Sequence, residues 1–217
     1  MTRTGSVSEH PYVTDAHLDR LFALEPRFAD IVALHGRPPG WARPPGFETL
    51  VRIVLEQQLS LASAKAHFDR LLERAVTLHP DRIFELNEAD WTYASISRQK
   101  RTYVQALARA VQEGRLNGLL ESQNQTRQNY DEIDSTLLSI KGIGPWTSSV
   151  YQMMSLGHSD LFPMGDVALR TSVGEQFGVR EYGEIEALST DWQPLRSLAA
   201  FCLWQAYLSK RNRVVDY

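Results

Sequence analysis

Glycine and proline placement between Asp134 and Arg170 constrains this chain more than any other feature. Ile133, Leu137 and Ile140 recur at helical spacing, and Lys141-Gly142-Ile143-Gly144 then breaks the period with two residues free to adopt positive φ. Pro145 follows. Proline suits the first position of a helix, where no intrahelical donor is lost, so a second helix is expected from Pro145 through Trp146, Val150, Met153 and Met154 to a stop at Gly157. Such a bend leaves backbone N–H groups of Gly144 and its neighbours unpaired beside a helix N-terminus, whose partial positive charge favours an anion. A nucleic-acid phosphate suits that site, and a side chain at Gly142 or Gly144 would hold the phosphate away from the main chain. An ordinary tight turn between two helices would carry the same residues.

Downstream, Phe162-Pro163-Met164-Gly165-Asp166 sets one carboxylate after a glycine and before Val167-Ala168-Leu169-Arg170, where a further helical run begins and continues through Val173 and Phe177. Aspartate is a preferred N-cap, so Asp166 reads first as a cap. A cap hydrogen bond also orients the carboxylate, and the structural role is therefore compatible with a chemical one.

The remaining chain reads as helices and connections. The first dozen residues are polar and expected to be loose, and Asp15 to Leu34 reads as one helical segment. Arg37 to Gly46, RPPGWARPPG, is barred from regular structure by its paired prolines and glycines. Phe47, Leu50, Val51, Val54 and Leu55 form an apolar helical stripe whose next position is Gln58, and Ala64, Phe68, Leu71, Leu72 and Ala75 mark the following helix. Gln57-Gln58 thus falls at a helix junction pointing away from the core. Ser97 to Gly114 forms an amphipathic helix with Tyr103, Ala106, Leu107, Ala110 and Val111 inward, and Gly114 is its natural stop. The polar segment 121–129 reads as a surface loop, and further helices are expected around 166–177, 183–189 and 194–209. With no alternating strand, no repeat and no metal-ligand spacing among the histidines, the fold class is all-α.

Composition sets outer bounds. A chain of 217 residues, 43% hydrophobic, can bury one good core or two small ones. Its net charge of −3 does not advertise a nucleic-acid binder, but Arg98, Lys100, Arg101, Arg109 and Arg115 cluster with only Glu113 opposing them, which permits a positive face. The single cysteine, Cys202, excludes an internal disulfide, fits a reducing cytoplasm and reads as core filler. The N-terminus has no apolar run to act as a signal peptide, and no segment approaches the ~20 apolar residues of a membrane span.

IKGIGPWTS followed by LFPMGDVALR resembles the hairpin, Gly/Pro-rich loop and aspartate signature of the HhH-GPD DNA glycosylases, and DWQPLRSLAAFCLW narrows the resemblance to the AlkA-type 3-methyladenine glycosylases. It runs from about Phe47 to Tyr207. The resemblance implies two helical lobes, one spanning 46–158 with the hairpin and the other made of 1–45 and 159–217, with Asp166 at the cleft. The single cysteine excludes the iron–sulfur cluster that some relatives hold on four cysteines, and the N-terminal β-rich domain of larger relatives is not expected in so short a chain. Lys141, Gly142, Gly144 and Thr147 would meet the DNA backbone. Gln58 would enter the minor groove and fill the space of an everted nucleotide. Trp146 and Trp204 would wall the base pocket, and the carbonyls of Leu138, Ile140 and Ile143 would hold a monovalent cation, Na⁺ or K⁺, as the only cofactor.

The implied chemistry can be argued physically. Cleaving a bond between deoxyribose and a purine passes through an oxocarbenium-like state, which a nearby carboxylate stabilises. No partner carboxyl lies near Asp166 in the sequence to protonate the leaving group. A purine alkylated at N3 or N7 is already cationic and leaves neutral, and it favours aromatic walls. Strand-cutting relatives carry a catalytic lysine two residues after the second hairpin glycine, where this chain has Trp146, so hydrolysis without lyase activity is expected. Val150 replaces a further aromatic of the pocket. The expected partner is duplex DNA containing alkylated bases, bound by a monomer. Two alternatives stay open: a glycosylase for neutral oxidised or mismatched bases, and a non-catalytic helix-hairpin-helix DNA-binding module.

Overall fold

The computed structural model describes residues 10–117 and 127–213. Among these residues the chain is all-helical, with twelve α-helices and no strand. They fall into two compact units, one of residues 1–43 and 153–217 and the other of residues 44–152.

In the first unit, α1 (Asp15–Leu24) starts at Thr14, whose hydroxyl accepts the His17 N–H. The expected single helix to Leu34 is instead two, because Glu25 precedes Pro26 and is driven into extended backbone. The chain restarts as α2 (Arg27–His35). Glu25 is pulled back onto Arg27, whose guanidinium makes paired bonds to it at 2.9 and 2.8 Å and holds its carboxyl below the usual range. The unit's axis is α12 (Arg196–Lys210), which packs against α1, α2 and α10 (Val167–Phe177). Buried residues run without a break from Ser197 to Trp204, so α12 has no solvent face there, as a helix enclosed by others requires. Cys202 lies in this stretch, fully buried, and burial pushes its thiol up to about 12. Phe28, Phe162 and Phe177 meet Trp192 with ring centroids 5.2 to 5.4 Å apart, the tilted and edge geometries that aromatic quadrupoles favour. Trp192 follows α11 (Tyr182–Thr190).

The N-terminal segment was expected to be loose. Residues 1–9 lie outside the described residues, but His10 is buried. Its Nε2–H donates to the Met153 carbonyl at 2.7 Å, its Nδ1 accepts from the Tyr12 N–H at 3.4 Å, and its ring stands edge-on to Phe201. The Arg43 N–H donates to Met154 O at 2.9 Å. These two donors satisfy carbonyls in the last turn of α9 (Pro145–Ser155), which have no intrahelical partner.

One donor and one acceptor on the His10 ring define the neutral tautomer, and burial lowers its pKa from 6.5. A base whose pKa is depressed by folding contributes full stability above its unfolded value, and that contribution is lost as pH falls below it toward the folded value. His10→Gln should therefore trail the wild type in melting temperature by a margin that narrows between pH 7.5 and pH 5. A margin constant across that series would show that the ring takes up its proton without penalty.

The second unit begins with α3 (Phe47–Glu56), anchored where the Gly46 N–H donates to the Tyr151 hydroxyl at 2.9 Å. Thr49, Leu50, Val51, Ile53, Val54 and Leu55 are buried, and the open carbonyl of Leu55 accepts from the Lys100 ammonium. Then come α4 (Leu61–Ala75), capped by Ser60, and two short helices that hydrophobic periodicity does not reveal, α5 (Pro80–Glu85) and α6 (Glu88–Tyr93). Six residues cannot display a 3.6 period, but capping chemistry marks both: Pro80 follows the cap His79, and Asn87 forms a capping box with Asp90.

Helix α7 (Arg98–Gln112) is capped by Ser97 and buries Val104, Leu107, Ala108 and Ala110. Its inward face is thus rotated from the expected one, with Tyr103, Ala106 and Val111 half-buried at its borders. Residues 121–126 of the expected surface loop lie outside the described residues, and from Arg127 the segment already belongs to α8 (Arg127–Leu138). Among the described residues, no helix is long and apolar enough to cross a membrane.

Candidate functional site

In the second unit, α8 and α9 form the hairpin. Asp134 of α8 accepts from Ser148 Oγ at 2.6 Å and from Gln152 Nε2 at 3.1 Å, tying the helices together through buried polar side chains. Successive turns close the bend: Ile140 N–H donates to Leu137 O, and Ile143 N–H to Ile140 O, each at 3.0 Å. Ile133, Leu137, Ile140 and Ile143 are all buried beneath it.

Gly142 has φ +94°, and a Cβ built there would lie 2.1 Å from Cγ of Tyr103. Its glycine is therefore required by the Tyr103 ring and the backbone, a reason the sequence did not disclose. Gly144 differs. Nothing lies within 4 Å of its Cβ position, and its carbonyl accepts the Ser148 N–H at 3.0 Å to start α9. The first-turn N–H groups of α9 have no intrahelical acceptor, as for any helix, so the open space at Gly144 adjoins the positive end of the helix dipole.

Lys141 is exposed at the apex, Trp146 is half-exposed, and Thr147 is buried with its hydroxyl accepting from Gln57 Nε2 at 2.9 Å. Of the Leu138, Ile140 and Ile143 carbonyls, that of Ile140 accepts the Ile143 N–H and keeps a second lone pair. Three neutral carbonyls without a carboxylate suit a monovalent cation better than a divalent one.

Gln58 stands in the same unit between α3 and α4. It is exposed, with φ +56°, so the chain reverses at this residue and presents it outward beside the partly exposed Leu59 and Leu61. The expected positive face is smaller than its composition suggested. Arg101 pairs with Glu88, a residue remote in sequence that the reading of Glu113 as sole opponent missed, and Lys100 is turned onto Leu55 O. Arg115 reaches Ser139 at 2.5 Å.

Asp166 lies in the first unit as the N-cap of α10. Its Oδ1 accepts the Leu169 N–H at 2.8 Å, its N–H donates to Pro163 O at 2.9 Å, and the side chain is half-buried. The loop leading to it is latched to the first turn of α12. Ser197 Oγ donates to His158 O at 2.7 Å and accepts from the Leu161 N–H at 3.0 Å, and Arg196 clasps Asp160 through its carboxylate and its carbonyl. Arg196 and Ser197 were not singled out from the sequence, because a loop 36 residues upstream gives no local signal of its partner. Trp204 is 9% exposed and packs edge-on to Trp41 at 6.4 Å and tilted on Phe201 at 5.9 Å, inside an aromatic cluster.

An all-helical chain carrying this hairpin and a loop-borne N-cap aspartate defines a helix-hairpin-helix class. The profile of the HhH-GPD superfamily base excision DNA repair protein matches residues 51–194, and the chain belongs to that family. Among named relatives, a DNA-3-methyladenine glycosylase of Bacillus subtilis is 28% identical over 174 residues, covering 73% of this chain and 56% of that protein. A crystal structure of a DNA-3-methyladenine glycosidase from Bacillus halodurans superposes with TM-score 0.70 at 25% identity, covering 88% of this chain and 89% of that one. The Schizosaccharomyces pombe 3-methyladenine DNA glycosylase Mag1, in complex with abasic DNA, shares the fold with TM-score 0.75 at 24% identity, over 86% and 93% of the two chains. The chain spans 37% to 58% of the length of several curated relatives.

Proposed function

We propose that this protein is a DNA glycosylase that hydrolyses the N-glycosidic bond of alkylated purines, of the 3-methyladenine and 7-methylguanine type, and leaves an abasic site. The observation that carries the reading is Asp166: a half-buried carboxylate whose direction is set by the Leu169 N–H and whose loop is locked by Arg196 and Ser197. The cap bond fixes the orientation of the carboxylate, whose negative charge would stabilise a cation developing at the sugar.

In this reading the second unit supplies the grip. N–H groups around Gly144 hold a phosphate, Lys141 adds charge at the apex, and Gln58 occupies the vacated stack in duplex DNA. A monovalent cation on the carbonyls of Leu138, Ile140 and Ile143 would supply positive charge toward that phosphate. The half-exposed Trp146 would stack on the extruded base. A cationic base departs neutral, so no second carboxyl is needed. The position where strand-cutting relatives hold a lysine is Trp146, which supports hydrolysis without strand cleavage.

The test is release of free base from methylated duplex DNA, compared with release of a neutral lesion such as 8-oxoguanine. Free 7-methylguanine with at least a hundredfold slower release of the neutral base is expected, because each ~1.4 kcal/mol of leaving-group assistance is tenfold in rate. Preferential release of the neutral lesion would replace this reading with the oxidised-base one.

A further inference from the structure

The Gln57 carboxamide makes two hydrogen bonds into the hairpin, to Gly142 O and to Thr147 Oγ1, both at 2.9 Å. An amide NH₂ has two hydrogens, and both are used. Gly142 O and the Ile143 N–H belong to one peptide plane, and that N–H donates to Ile140 O at 3.0 Å. The plane is therefore pinned from both edges, and Gln57 supplies one of the pins. Thr147 lies one turn into α9, so the same side chain also fixes the bend against the helix N-terminus. Tyr103 fills the space under Gly142 and leaves the bend no room to relax toward α7.

Gln57 is also the C-cap of α3 and immediately precedes the outward-turned Gln58. We infer that Gln57 is a positioning residue that sets the phosphate-gripping amides of the hairpin in register with the neighbouring Gln58 tip. The inference rests on the reading of the hairpin as a DNA grip. It asks nothing chemical of Gln57. Without its carboxamide the bend can rock, and the donors spend less time in the orientation that a phosphate needs.

The test compares wild type with Gln57→Met, which keeps the volume and removes the donors, and Gln57→Asn, which keeps the amide on a shorter stem. Each is assayed for melting temperature, for affinity to duplex DNA bearing a tetrahydrofuran abasic analogue over a salt series, and for single-turnover release of 7-methylguanine. Gln57→Met should bind about tenfold more weakly, from two modest hydrogen bonds lost, with a log Kd against log salt slope reduced by roughly one phosphate contact. Release at saturating enzyme should change far less than affinity, and Gln57→Asn should fall between the two. A lowered melting temperature with unchanged affinity and salt slope would make Gln57 a structural bond only and overturn the inference. A wild type that binds the abasic duplex but releases no base would remove the proposed activity and leave the inference to the salt series. A wild type that does not bind would overturn both.

Discussion

Asp166→Asn is expected to lower single-turnover release of alkylated purines by about three orders of magnitude while leaving the fold intact. The substitution separates the observed cap role of this residue from its proposed chemical one, because asparagine caps helices as well as aspartate does and can still accept the Leu169 N–H through its carbonyl oxygen. What disappears is the negative charge. An anion about 4 Å from a developing unit charge contributes roughly 4 kcal/mol at an effective dielectric near 20, an upper guide equivalent to about a thousandfold in rate. The loss of a favourable charge at the start of α10 should cost no more than about 1 kcal/mol of stability. Measured release near the wild-type rate would reduce Asp166 to a cap and assign the chemistry to another residue, whereas no release by either protein would favour a non-catalytic DNA-binding module. A collapse in melting temperature would instead show that the carboxylate is structural.

The second large effect concerns the hairpin glycines, which should fail in different ways. Gly142→Ala places a methyl 2.1 Å from Tyr103 Cγ and 2.6 Å from Tyr103 Cβ, the latter too near the α7 backbone to swing aside. It also holds an L-residue at φ +94°. Left-handed backbone alone costs about 1–2 kcal/mol and overpacking about 1–3 more, so urea denaturation should show a loss of roughly 3 kcal/mol together with loss of DNA affinity. Tyr103→Ala in the same chain should restore part of the stability, leaving the backbone cost. Gly144→Ala meets open space and should change stability by less than about 1 kcal/mol, yet weaken DNA binding by about tenfold by standing in the path of the phosphate. Equal stability losses at both positions would mean that the bend is a packing feature alone.

These contrasts mark what local pattern conveys. The helices flanking the hairpin, the start of α9 at Pro145, the start of α10 after Asp166 and the irregular run at 37–46 follow from residue chemistry acting over a few positions, and the sequence displays that chemistry directly. The break at Pro26 is equally local, since a residue before proline leaves the helical region. The short helices α5 and α6 were visible only through their caps. The Tyr103 ring under Gly142, Gln57 on the hairpin, the Arg196 clasp on Asp160 and the burial of His10 against Phe201 are long-range contacts. They depend on tertiary packing, which no window of the chain encodes. The candidate site was legible as a set of residue types, and the parts that hold it in place were not.

Cys202 carries a practical consequence. Its sulfur is sealed inside α12 and held as the thiol, so it will ignore maleimides and mild oxidants as long as the protein stays folded. Gln58→Cys would then carry the one thiol accessible to reagents, on an outward-turned residue, with no need to rebuild the interior first. A fluorophore attached there would report, in real time and on an otherwise native molecule, whether this tip enters a double helix.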